Sequence, residues 1–147
     1  FAAHSTSINH RHAANLWNKL GKKRVERRHE EQLERLVQRT LELIPFCDAR
    51  NLANIAHGAA KCRLPASVVS SLFAAVAEAA VRKGFAGFKP QELANTVWAY
   101  ARAGVAADAL YSAAAAEAAA RGLAGFTPQN LSNTVWAYAR AGVAADA

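Results

Sequence analysis

The sequence predicts an all-α chain, an α-solenoid of antiparallel helix pairs with a repeat of about 38 residues. Three observations carry that expectation. Alanine supplies 37 of the 147 residues, and alanine gives up no side-chain entropy in a helix. No sustained apolar/polar alternation marks a strand. The run TVWAYARAGVAADA occurs at 96–109 and again at 134–147, identical at 14 positions and offset by 38. A fixed offset of that size is the signature of stacked repeats.

Extending the match back to Phe88 and Phe126 gives 22 aligned pairs, 19 of them identical. The exceptions are Lys89/Thr127, Glu92/Asn130 and Ala94/Ser132. An older copy, NLANIAHGAAK at 51–61, aligns with ELANTVWAYAR at 92–102, offset by 41. A fainter one, AANLWNKLGKK at 13–23, puts Trp17 near the place of Trp98. The expected organisation is a degenerate N-terminal unit over 1–45 and a degenerate repeat over 46–87. A full repeat covers 88–125, and 126–147 is the first helix of a truncated one.

Punctuation places the helices. Pro90 and Pro128 suit a first helical turn. Gly104 and Gly142 suit the position just past a helix end. First helices therefore run from these prolines to about Ala103 and Ala141. A second helix follows Asp108, a candidate N-cap, and ends at Gly122; its earlier counterpart spans about 67–83. The longest helix is expected at 22–43. Its apolar face carries Leu33, Leu36, Val37, Leu41 and Ile44, and its other face is highly charged.

Net charge is +7, and the excess is N-terminal: residues 1–63 hold 12 basic and 6 acidic side chains, residues 64–147 hold 6 and 5. A basic surface points to an acidic partner, nucleic acid first. No acidic residue precedes Glu26, as at the edge of an organellar transit peptide. The last copy stops at Ala147 within its unit, so the expectation is a piece of a longer protein. No run of 18 apolar residues offers a membrane span. Cys47 and Cys62 are too few for a disulfide scaffold. Neither they nor the five histidines have metal-ligand spacing. With no phosphate-binding Gly-rich loop and no nucleophile elbow, the chain reads as a non-enzyme that asks for no cofactor.

On a helical wheel Leu93, Ala94, Val97 and Ala101 make one apolar face, expected to be buried between units with Leu131 and Val135. Trp98 and Tyr100 flank it. Gln91, Asn95 and Arg102 form a polar stripe beside Trp98. Gln129, Asn133 and Arg140 do the same beside Trp136, and Arg50, Asn54 and Lys61 beside His57. Stacked units align these stripes into a ladder.

The 38-residue spacing, with PQELANTVWAYARAG at 90–104 and PQNLSNTVWAYARAG at 128–142, resembles the octotricopeptide repeat of green-algal organellar proteins and their RAP-domain relatives. The opening units resemble the degenerate start of such arrays. The resemblance implies an α-solenoid in a mitochondrion or chloroplast that binds organellar mRNA or rRNA. Its roles would be transcript stabilisation, processing, translation or ribosome assembly, with ribosomal or other organellar proteins as further partners. No RAP domain lies in these residues, so no nuclease-like activity is carried over.

Each candidate site has two readings. Lys61, Arg102 and Arg140 end the first helices, where they suit the helix dipole or a row of RNA phosphates. Lys22, Lys23, Arg24, Arg27 and Arg28 are phosphate contacts or a solvated face paired with Glu26, Glu30 and Glu31. Positions that differ between near-identical units are candidates for base reading: Glu92, Asn130 and Asn51, and Lys89, Thr127 and Asp48, with Gln91, Gln129 and Arg50 adjacent. Drift at exposed positions explains them equally simply, and Glu92 and Asn130 are expected to be exposed. The recurrent Asn54, Asn95 and Asn133 read as amides bridging neighbouring helices. Trp98, Trp136 and Tyr100 read as core rather than as stacking platforms. The competing functional class is a structural scaffold working through protein–protein contacts. A basic stripe along one surface favours RNA; an apolar groove favours protein.

Overall fold

The structure, a computed structural model, describes residues 9–21, 30–62 and 66–142. Those residues form seven α-helices and no strand: α1 (His10–Gly21), α2 (Glu30–Leu43), α3 (Ala49–Lys61), α4 (Ala66–Lys83), α5 (Pro90–Ala103), α6 (Asp108–Ala120) and α7 (Pro128–Ala141). A short 3-10 turn, Ile44–Phe46, joins α2 to α3.

The punctuation works as its chemistry requires. Pro90 and Pro128 open α5 and α7. Gly104 and Gly142 close them with φ of 68° and 69°, the left-handed region where a Cβ is penalised. Asp108 differs from expectation. It is the first helical residue, where its carboxylate faces the positive end of the dipole, and Ala107 holds the cap position without a side-chain bond. The expected start of the long helix, 22–29, lies outside the described residues. Over Glu30–Leu43 the expected face holds: Leu33, Leu36, Val37 and the following Ile44 are buried, and Leu41 is half-buried.

Odd-numbered helices pack on one another in chain order, α1 on α3, α3 on α5 and α5 on α7, more extensively than on the helices that follow them in sequence. Even-numbered helices contact in the same order, α2 with α4 and α4 with α6. The chain thus has a layer of first helices and a layer of second helices. Small residues allow the close approach in the first layer. A Cβ on Gly58 would lie 2.0 Å from the Trp17 carbonyl oxygen, so only glycine fits there. Its counterparts, Ala99 and Ala137, are fully buried.

Tyrosine hydroxyls tie the layers together. Tyr100 on α5 donates to the Phe73 carbonyl of α4. Tyr138 on α7 donates to the Tyr111 carbonyl of α6 at 2.6 Å. Each ring also meets its partner's ring edge to face, with centroids 4.8 and 5.3 Å apart. Arg121, at the end of α6, donates to the Phe88 and Phe85 carbonyls at 2.6 and 2.8 Å. It thereby satisfies the turn that closes the preceding unit.

Several expectations are corrected. Leu93 and Val97 are buried, but Leu131 and Val135 are 36% and 67% exposed. α5 has α7 packed against it, whereas no described helix lies beyond α7. Trp17 does not take the place of Trp98: it is fully buried, and its indole N–H donates to Thr40 Oγ1 at 2.9 Å. Asn130 is buried rather than exposed, and Glu92 is half-buried; both are held by helix capping.

Candidate nucleic-acid interface

The site is built on α3, α5 and α7. Helical spacing puts Arg50, Asn54, His57 and Lys61 on one stripe of α3. Gln91, Asn95, Trp98 and Arg102 follow on α5, and Gln129, Asn133, Trp136 and Arg140 on α7. In each stripe the first and last members are exposed and the asparagine is half-buried. His57 and Trp98 are half-buried, and Trp136 is exposed.

The stripes meet through their rings. His57 and Trp98 have centroids 4.9 Å apart with planes inclined at 37°. Trp98 and Trp136 are 6.2 Å apart and inclined at 34°. The Arg102 guanidinium lies over Trp98, 5.4 Å from the ring centroid, within cation–π range. The sequence reading of Trp98 and Trp136 as core is therefore corrected: they form an aromatic ladder at the edge of the first layer. Tyr100 is core, fully buried, its hydroxyl hydrogen-bonded.

Lys61, Arg102 and Arg140 each occupy the last turn of a first helix, facing the negative end of its dipole. Among the described residues none of these three, nor Arg50, meets a carboxylate. Ion pairs instead join Arg39 to Glu42, Arg82 to Glu78 and Arg121 to Glu117, all on second helices or their ends. Counted with their capping residues, the described first helices carry seven basic and two acidic side chains. The second helices carry five basic and seven acidic ones. Both acids of the first layer, Asp48 and Glu92, are engaged in helix caps.

The expected base readers have a different local explanation. Asp48 Oδ1 accepts from the Asn51 N–H at 2.8 Å, and Asn51 Oδ1 accepts from the Asp48 N–H at 3.1 Å. Thr127 and Asn130 repeat this reciprocal box at 3.0 and 3.1 Å. Lys89 has no acceptor in its side chain, so only half the box forms there: Glu92 Oε1 accepts from the Lys89 N–H at 2.8 Å. Two of the three positions that vary between the near-identical units are thus N-cap and N3 partners that change together. Gln91, Gln129 and Arg50, one residue away, are exposed on the ladder face.

The asparagines do not bridge helices as expected. Asn133 accepts from Gln129 within α7 at 3.0 Å, and among the described residues no hydrogen bond from Asn54 or Asn95 reaches another helix. Lys22, Lys23, Arg24, Arg27 and Arg28 lie outside the described residues.

On the second layer, a groove of about 540 Å³ runs between α4 and the start of α6. Phe73, Ala77, Val81, Val105 and Leu110 line it, with Glu78 and Arg82 among its polar residues. Cys47 and Cys62 are free and buried, and burial pushes both thiols up to about 11. Among the described residues no group of three potential metal ligands occurs, and no helix is long and apolar enough to cross a membrane.

No family model, curated protein or solved structure matches this chain.

Proposed function

We propose that this chain is an α-solenoid of antiparallel helix pairs that binds single-stranded organellar RNA, messenger or ribosomal, along its layer of first helices. The observation that carries the reading is the division of charge. Cations occur on both layers, but on first helices only two acids accompany them and both are used for capping, while carboxylates concentrate on second helices. A surface of cations without carboxylate partners is what a polyanion displaces counterions to reach. Lys61, Arg102 and Arg140 supply one phosphate contact per unit, which serves transcript stabilisation, processing, translation or ribosome assembly. The likeness of the 90–104 and 128–142 runs to octotricopeptide repeats supports the same reading and an organellar setting.

A second reading, a protein scaffold, is favoured by the apolar groove between α4 and α6. The two uses fall on different layers, so they are separable. A salt titration of binding to several single-stranded RNAs tests the first. Arg102→Ala should weaken binding to all sequences about equally and lower the slope of log K against log salt by ~0.7, one single-strand phosphate contact. An unchanged slope would assign these cations to the helix ends. Failure of every RNA to bind at low salt would leave the scaffold reading.

A further inference from the structure

We propose that the Trp98–Trp136 pair is a stacking site for unpaired nucleobases, so that RNA on this face is held by base planes as well as by phosphates. The proposal rests on the RNA-binding reading and specifies its ligand chemistry.

Three tryptophans occupy two environments. Trp17 is fully buried and its N–H is bonded to Thr40. Trp136 is 42% exposed, and among the described residues neither its N–H nor that of Trp98 has a hydrogen-bond partner. Trp136 owes part of its exposure to the lack of a described helix beyond α7, but Trp98 is only half-buried even with α7 packed beside it, so the ladder edge stays open to a planar ligand.

The spacing is specific to one rung. A base sandwiched between parallel rings needs about 7 Å, twice the ~3.4 Å spacing of successive bases. Trp98 and Trp136 have centroids 6.2 Å apart and planes inclined at 34°, a little short of that spacing. His57 and Trp98, at 4.9 Å, fall further short. Arg102 already lies over Trp98, so that ring accepts a planar cation. Arg102 and Arg140, in the last turns of α5 and α7, supply positive charge on the same stripes as the two rings. Stacking on an indole is tolerant of base identity. This fits two units whose ladder residues are identical and in which Glu92 and Asn130, though different, both serve as caps.

The test compares an oligouridylate with an abasic strand of equal length and charge, using the full chain. The parent should prefer the oligouridylate by roughly 5- to 150-fold per stacked base, and tryptophan emission should be quenched by it and not by the abasic strand. Trp136→Leu should remove most of that preference while leaving the salt slope unchanged, and Trp136→Phe should keep part of it. A thermal melt of each variant checks folding, and the parent's quenching needs no variant. Equal affinity for both strands would overturn the stacking site and leave phosphate binding intact. Quenching by an apolar peptide but not by oligouridylate would also overturn it. Failure of both strands to bind at low salt would overturn the RNA-binding reading itself.

Discussion

The layer of first helices and the layer of second helices share an alanine-rich core and differ in how they pack and where they put charge. First helices approach so closely that Gly58 admits no side chain, and their outer stripe carries cations with no carboxylate beside them among the described residues. Second helices touch one another less and pair Arg39, Arg82 and Arg121 with glutamates. A surface that neutralises its own cations gains a little stability, a few tenths of a kcal/mol for each exposed pair. A surface that leaves them unmatched forgoes that gain and keeps its field available to a partner.

The packing half of the contrast can be broken at Gly58. Gly58→Ala drives a Cβ into the backbone of α1, so α1 must move off α3. A loss of about 3 kcal/mol is expected, at the upper end for overpacking, read as a lower urea midpoint at unchanged slope.

The ties between layers come next. Tyr100→Phe removes a buried hydroxyl that donates to the Phe73 carbonyl. It should cost about 1–2 kcal/mol, because that acceptor loses its partner inside the core. Tyr138→Phe breaks the equivalent bond in a less enclosed unit and should cost about 1 kcal/mol or less. Equal losses in the two variants would mean that the enclosing neighbours do not matter.

Tyr111 sharpens the same point with the opposite sign. Its hydroxyl is buried without a hydrogen-bond partner among the described residues, and the repeat puts Phe73 at the equivalent position. Tyr111→Phe should therefore raise stability, by up to about 1 kcal/mol, seen as a higher melting temperature. A loss on substitution would mean that the hydroxyl is satisfied after all.

Alkali should weaken the assembly in two steps. Burial pushes Cys47 and Cys62 from 9.0 up to about 11, and Tyr111 and Tyr138 from 10.0 up to about 12. Each group is neutral when protonated, so the folded state holds its proton at a pH where the unfolded chain has released it. The stability this supplies is complete below the unfolded values and is lost as pH rises through the folded ones. Urea midpoints should fall between pH 9 and 11, then further between 10 and 12. Joint replacement of both cysteines by alanine should remove the first fall and leave the second.

These features were unequally legible in the sequence. Helix positions were, because Pro90, Pro128, Gly104 and Gly142 act on their own few residues whatever surrounds them. Burial was not. Val97 and Val135 sit in identical local sequence, yet one is buried and the other 67% exposed, since exposure in a stacked chain depends on the next helix. The wheel put polar residues beside Trp98 but could not show which flank of the apolar face meets a neighbour. Hence Tyr100 went inward and Trp98 to the edge. The differences at Asp48/Lys89/Thr127 and at Asn51/Glu92/Asn130 suggested base reading because the two sets were not paired with each other. Compared with the residue three places earlier, Asp48–Asn51 and Thr127–Asn130 are reciprocal caps, and Lys89–Glu92 is half of one. That signal was present in the sequence.

The most direct test of the division of charge uses two variants of equal net charge. One replaces Lys61, Arg102 and Arg140 with glutamine; the other replaces Arg35, Arg82 and Lys83. Binding of one single-stranded RNA is followed over a salt series. The first variant should lose about two units of salt slope, three phosphate contacts at ~0.7 each, and the second should bind with nearly the parent's slope. Equal loss in both variants would mean that RNA senses only the overall charge, and would contradict a binding face on the first helices.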